Sequence, residues 1–213
     1  MKAILAYGDS LTYGANPVFG LPRHAYEDRW PSALEAGLNG AARVIAEGLG
    51  GRTTVHDDGY ADGDRNGARI LPTLLASHGP LDMVIIMLGT NDLKPSVGGS
   101  ALNASYGVRR LVQIVRGHTL AERQDVPKII LVSPPLVIPS MNDEVTLHFG
   151  GAIEESRRFA DYYRCRATEE GVGFFDAATA AKADPADGVH LDASNTRAIG
   201  EGLVPLVRKT LAE

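Results

Sequence analysis

The sequence has 213 residues, 44% of them hydrophobic and 22% charged, with a formal net charge of −5 at pH 7. Its length suits one domain with a substantial core, and its mild acidity, without a long run of one sign, gives no electrostatic footprint for nucleic acid or an anionic membrane. No apolar stretch approaches the ~18 residues of a membrane span, and the single cysteine, Cys165, cannot form an internal disulfide, so no oxidising compartment is implied.

The first predicted element is the apolar run Lys2–Tyr7, a buried strand that ends in Gly8-Asp9-Ser10-Leu11. The run is shorter than the ~7–15-residue apolar core of a signal peptide, so a cytoplasmic location is expected. Open α/β sheets keep their reactive groups in the crevice beyond the carboxyl ends of the strands. Gly8 permits a sharp exit that a Cβ would obstruct, and Ser10 becomes a candidate nucleophile. Pro31 fits the first position of a helix carrying Ala33, Leu34 and Leu38. Arg43–Glu47 is the second strand, followed by Gly48-Leu49-Gly50-Gly51. A glycine there lets a backbone N–H approach a ligand closely. Neither G-x-x-x-x-G-K-S/T nor G-x-G-x-x-G is present, so the turn does not read as a phosphate loop.

The segment Val55–Gly67 reads as irregular. Asp62-Gly63-Asp64-Arg65-Asn66-Gly67 opens like a calcium loop, but Thr73 stands where the bidentate Glu is required. The acidic run Asp57–Asp64 reads instead as solvated turns at the rim of the crevice. Ile70–Leu75 is helical with Pro72 inside it, which should kink or restart the helix. Met83–Leu88 is the third strand, apolar at every position as suits a parallel strand covered on both faces. It runs into Gly89-Thr90-Asn91-Asp92. An Asn at a strand's carboxyl end can point its amide into the crevice, whereas Asn and Asp also serve turns and caps, and Asp92 reads as a cap. Lys94 faces either the mouth or solvent.

Val108, Leu111, Val112 and Val115 recur at helical spacing, and Lys128–Val132 is the fourth strand. Pro134–Gly151 lacks clear regular structure yet holds Leu136, Val137, Ile138, Met141, Leu147 and Phe149. So many apolar residues need burial, over the crevice or against another subunit. Ala152–Glu170 reads as one long helix with Phe159 and Tyr163 a turn apart, stopped by Gly171, and Val172–Asp176 as the fifth strand. Asp187-Gly188-Val189-His190 follows the turn-like pair Asp184-Pro185. A loop with Asp and His at this spacing can fold the carboxylate onto the imidazole and fix its tautomer. Asp192 fits an N-cap for a last helix through Ile199, Leu203, Leu206 and Val207, in which Pro205 should again produce a kink or restart.

Strict alternation of strand and helix predicts one α/β domain, residues 1–213, around a parallel sheet. The chemistry-bearing blocks resemble the SGNH branch of the GDSL hydrolases: Ser10 in Gly-Asp-Ser-Leu, a glycine in the second block, Asn91 in Gly-Thr-Asn-Asp and His190 in Asp-Gly-Val-His. The stretches Glu47–Thr54, Asn66-Gly67-Ala68 and Val84–Asp92 are similar to the bacterial arylesterase subgroup, which includes acyltransferases and perhydrolases.

This resemblance implies a three-layer α/β/α sandwich with a central five-stranded parallel sheet, the flavodoxin-like SGNH hydrolase fold. It also implies a serine esterase acting on short acyl esters, acetyl or aryl. His190 would take the proton of Ser10, and Asp187 would orient His190. The N–H groups of Ser10 and Gly51 and the amide of Asn91 would hold the oxyanion. Water, an alcohol or peroxide would release the acyl-enzyme. Aligning the second block puts Gly51 at the oxyanion position, with Gly48 and Gly50 in competition. No metal or organic cofactor is implied.

Leu11, Thr90, Ile138 and Val189, near the catalytic blocks in sequence, are candidates for substrate contact. The arylesterase relatives are oligomers, some of them octamers, whose loops narrow the mouth. A homo-oligomer with a restricted, mostly apolar entrance is therefore expected, taking a small ester and neither nucleic acid nor membrane. Three other readings compete. One is a carbohydrate deacetylase of the same family. Another is a non-catalytic binding module on the same fold, which the joint presence of Ser10, Asn91, Asp187 and His190 argues against. The last is a flavodoxin-like nucleotide binder, which would need the phosphate loop the chain lacks.

Overall fold

Five apolar runs pair as the strands β1 (Lys2–Gly8), β2 (Ala42–Gly48), β3 (Met83–Met87), β4 (Lys128–Ser133) and β5 (Gly173–Asp176) in the computed structural model, which describes residues 1–118 and 126–212. Each strand lies within one residue of its predicted bounds at either end. All pairings are parallel, in the order β2-β1-β3-β4-β5. This doubly wound order reverses direction between β1 and β3, and ligands of such sheets bind outside the carboxyl ends of the strands at that reversal.

Strand alternation divides the core into two halves. Leu5, Tyr7, Val84, Ile86 and Leu131 face the helices α3 (Gly67–His78), α4 (Ala101–Gly117) and α7 (Phe159–Glu170). Ile4, Ala6, Ile85, Ile130 and Val132 face α2 (Trp30–Gly37) and α8 (Ala193–Ala212). The result is the expected three-layer α/β/α arrangement. The central strand β3 is buried along its whole length, which explains why its sequence is continuously apolar rather than alternating.

Several elements differ from expectation. The long helix predicted over 152–170 is two helices, α6 (Ala152–Ser156) and α7. The buried Ser156 hydroxyl turns back to donate to the Ile153 carbonyl at 2.9 Å and accepts the Val137 N–H at 3.1 Å. A hydroxyl bonded back into its own helix competes with the regular ladder and bends it. The 134–151 segment contains a helix, α5 (Asp143–His148), capped by Asn142, whose side chain accepts from Glu144 and Val145. Pro72 and Pro205 leave α3 and α8 uninterrupted. Buried Leu71 and Leu75 flank the first, and Leu203 and Val207 the second, so packing on the sheet holds each helix through the lost bond. No helix among the described residues is long and apolar enough to cross a membrane.

Candidate active site

The first wall of the site is built at the end of β1. A Cβ on Gly8 would stand 2.0 Å from Thr12 Oγ1 and 2.8 Å from the Met87 carbonyl oxygen, so a larger residue would displace the turn. Asp9 caps the single turn α1 (Ser10–Tyr13), accepting the Leu11 N–H at 2.9 Å. Ser10 is the first residue of that turn, so its N–H has no acceptor within the helix. Trp30 Nε1 donates to Thr12 Oγ1 at 3.1 Å and fastens α1 to α2.

The second wall follows β2. Gly48 packs directly on α1, where a Cβ would meet Tyr13 N at 2.2 Å. Arg52 N–H donates to the Leu49 carbonyl at 3.0 Å and closes a turn with Gly51 third in it, at φ +79. A positive φ at that position is what a type II turn requires. The Arg52 side chain is buried beneath this turn, donating to the carbonyls of Gly8, at 2.8 Å, and Glu47, with its guanidinium 4.3 Å from the Tyr7 ring centroid. One side chain thus ties the turn to the ends of β1 and β2. The three glycines separate by position: Gly48 makes room for α1, whereas Gly50 and Gly51 line the cavity beside Ser10.

The third wall follows β3. Asn91 is buried, and its Nδ2 donates to the Arg52 carbonyl at 3.2 Å. The Asp9 carboxylate stands 3.5 Å from the same nitrogen, the outer limit of a hydrogen bond, so that hydrogen can be drawn to a stronger acceptor. Asp92 is a cross-link rather than a cap: its carboxylate accepts the Thr54 N–H, at 3.0 Å to Oδ2, and the Thr54 hydroxyl. Burial pushes its pKa up to about 7, against those hydrogen bonds. Burial likewise pushes Asp9 up to about 6, against the Leu11 N–H and the charges of His190 and Arg52.

The fourth element is the loop before α8. Gly188, at φ +72, lies so close to the 134–151 segment that a Cβ would stand 2.3 Å from the Ile138 carbonyl oxygen. Ile138 N–H donates to the Gly188 carbonyl at 2.9 Å. Asp187 Oδ1 accepts the N–H groups of Val189 and His190 at 2.9 and 2.8 Å, and its Oδ2 lies 2.5 Å from His190 Nδ1. His190 Nε2 lies 2.9 Å from Ser10 Oγ, across 180 residues of sequence. Burial acts to raise the Asp187 pKa. The hydrogen bond and charge of His190, with the two N–H groups, outweigh it and hold the carboxyl below its ordinary value. A hydroxyl, an imidazole and an ionised carboxylate in this sequence can activate the hydroxyl as a nucleophile.

Ser10, Gly51, Asn91, Lys94, Phe149 and His190 line one cavity of about 360 Å³, with Val189 and Tyr13 beside them. Of the residues proposed for substrate contact, Val189 lies on this cavity. Ile138 lines a neighbouring one. Leu11 is buried among the core residues of the α2–α8 face, and Thr90 is buried without lining either cavity. Lys94 is buried at the mouth, its Nζ 3.5 Å from Asp58 and 5.8 Å from the Phe149 ring centroid.

The acidic run divides: Asp58 turns inward to Lys94, while Asp57, Asp62 and Asp64 pair outward with Arg69 and Arg65. The would-be calcium carboxylates Asp62 and Asp64 therefore face guanidinium groups. Among the described residues no cluster of three or more His, Cys, Asp or Glu is placed to hold a metal ion. Arg52, beneath the turn, and Tyr13 and His148, on the cavity wall, carry no local sequence signal, because their places depend on contacts between distant segments.

Comparison with known proteins agrees with this geometry. The family model described as GDSL-like lipase/acylhydrolase matches residues 6–196. A carbohydrate acetylesterase family member from Sinorhizobium meliloti is 50% identical, with a TM-score of 0.97 and the whole of both chains covered. The aryl esterase of M. smegmatis is 39% identical over 99% of this chain and 100% of its own, with a TM-score of 0.94. A carbohydrate acetylesterase, Est24, also from Sinorhizobium meliloti, is 36% identical over 98% of this chain and 99% of its own, with a TM-score of 0.93. No protein of the curated collection matches.

Proposed function

The chain belongs to the GDSL-like lipase/acylhydrolase family, and from that premise we propose that it is a serine esterase of short acyl esters, with Ser10, His190 and Asp187 as its catalytic triad. The carrying observation is the 2.9 Å contact between His190 Nε2 and Ser10 Oγ, with Asp187 2.5 Å behind the ring. The aryl esterase of M. smegmatis and the carbohydrate acetylesterase family member of Sinorhizobium meliloti, both similar along essentially their whole lengths, support it.

In this scheme His190 removes the Ser10 proton as Oγ attacks the ester carbonyl. The ionised Asp187 holds the tautomer with hydrogen on Nδ1 and stabilises the imidazolium. The oxyanion meets the N–H groups of Ser10 and Gly51 and the Asn91 amide, all fixed beforehand by α1, the Leu49–Arg52 turn and the Arg52 carbonyl. His190 then gives its proton to the departing alcohol oxygen. Water, an alcohol or peroxide releases the acyl group from Ser10. The scheme needs no metal or organic cofactor. Residues 1–213 act as one SGNH hydrolase domain.

The Lys94–Asp58 pair at the mouth favours a second reading, deacetylation of a carbohydrate. A buried ammonium beside a carboxylate offers a donor and an acceptor that suit vicinal hydroxyls and are idle toward a plain aryl ester. Turnover of p-nitrophenyl acetate, compared with release of acetate from an acetylated sugar, tests both. A protein inert toward every short ester would end the proposal, and a preference for the sugar would select the second reading. We place the protein in the cytoplasm as a homo-oligomer, up to an octamer. Free Cys165 and the exposed Phe19 and Met141, on the loops after α1 and β4, and Leu147, on α5, support this. Size-exclusion chromatography giving a monomer would refute the assembly.

A further inference from the structure

A second cavity, of about 400 Å³, adjoins the one that holds Ser10. The two share Phe149 and Val189, and Asp187 forms part of the second cavity's wall. The remainder of that wall includes the apolar side chains of Val137, Ile138, Val145 and Ile153. It adjoins the histidine loop through Asp187 and Val189, whereas Gly51 and Asn91 line the first cavity only. Its partition is unequal. Val189 is buried and its N–H is bonded to Asp187. Phe149 is half-buried at the end of α5, directly before Gly150 and Gly151, the latter at φ +85.

We propose that this apolar cavity receives the hydrocarbon part of the substrate's alcohol half, and that Phe149 sets how long that part can be. The inference rests on the triad reading above. In that scheme the leaving oxygen must lie within reach of His190 Nε2 to take its proton, so the chain attached to that oxygen extends past the histidine loop. The acyl substituent, on the other bond of the carbonyl carbon, is directed away from it. Phe149, between the cavities, limits entry to short alcohols. A chain that passes it meets a wall that is mostly apolar, with Ser140, Thr146, Glu154 and Asp187 as its polar members.

The test measures kcat/KM for two ester series in the unsubstituted protein and in Phe149→Ala: alkyl acetates from ethyl to hexyl, and ethyl esters from acetate to hexanoate. Each methylene moved from water into an apolar site is worth roughly fourfold. Phe149→Ala should raise the hexyl-to-ethyl ratio of the acetates on the order of tenfold, leaving the acyl series ratio within about twofold. Adding Ile153→Trp, which refills the cavity, should cancel the gain. Should Phe149→Ala fail to fold, Phe149→Leu carries the same expectation at smaller size. A shift confined to the acyl series, no shift in either, or a gain that survives Ile153→Trp would overturn the proposal. Turnover of ethyl acetate by the unsubstituted protein tests the esterase reading separately, so the two can fail independently.

Discussion

Asp187→Asn exchanges one carboxylate oxygen for an amide nitrogen at the position that faces His190. The Asp187 Oδ1 accepts two backbone N–H groups, from Val189 and His190, at 2.9 and 2.8 Å. An Asn oxygen can keep both bonds, so the loop should hold its shape. The amide NH2 then falls where Oδ2 stood, 2.5 Å from His190 Nδ1. Two donors cannot share that contact, so Nδ1 must present its lone pair and the ring hydrogen moves to Nε2. Nε2 in turn faces Ser10 Oγ at 2.9 Å with a hydrogen and no lone pair, and it can no longer accept the proton. A wrong tautomer in an otherwise intact triad lowers kcat on the order of 10⁴-fold, about 5.5 kcal/mol of transition-state stabilisation.

The assay is steady-state hydrolysis of p-nitrophenyl acetate, with the melting temperature followed in parallel. The expected result is a collapse of kcat with the melting temperature nearly unchanged. Asp187→Ala should lose both, since it leaves two N–H groups without their acceptor, at about 1–3 kcal/mol each where they stay buried. Activity of Asp187→Asn within tenfold of the unsubstituted protein would refute the tautomer argument and Asp187 as the orienting group.

Asn91→Ala should lower kcat on the order of 10²–10³-fold, the scale of one oxyanion donor, with little change in KM; a near-normal rate would remove Asn91 from the oxyanion site. The buried carboxyls make stability depend on pH. Asp9 and Asp92, raised to about 6 and about 7 by burial, keep their protons more tightly folded than unfolded. Their contribution is complete below the unfolded value of ~3.9 and is lost as pH rises through the folded values. Stability should therefore decline from about pH 4 to about pH 7, by at most about 1.4 kcal/mol per pH unit for each group. Asp92→Asn should flatten the upper part of that decline in urea unfolding, and an unaltered slope would show that Asp92 ionises without penalty.

What the sequence made legible follows from physical locality. β3 and β4 stand out because strands covered on both faces are apolar along their length, and the chemistry-bearing blocks stand out because each follows a strand or precedes the last helix. The cross-linking role of Asp92 has no local signal, because its partner, Thr54, is 38 residues away. Within its own neighbourhood an Asp after Asn looks like a cap. Leu11 shows the opposite effect, since adjacency to Ser10 in sequence does not make adjacency at the cavity. Successive residues of a helix do not face the same way, and while Ser10 turns to the cavity, Leu11 turns into the core. The α5 helix was hidden because its signals, an Asn cap followed by Asp143 and Glu144, occupy only six residues after a proline-rich exit from β4. Lys94 and Asp58 lie 36 residues apart, and only folding places them together at the mouth.

The most direct test of the triad is the site and rate of covalent capture by a fluorophosphonate, read by peptide mass spectrometry in the unsubstituted protein and in His190→Ala. The account predicts a single adduct on the peptide that contains Ser10, formed 10²–10⁴-fold more slowly without the imidazole, the range of general-base assistance. An adduct on a different serine, or equal labelling rates in the two proteins, would contradict it.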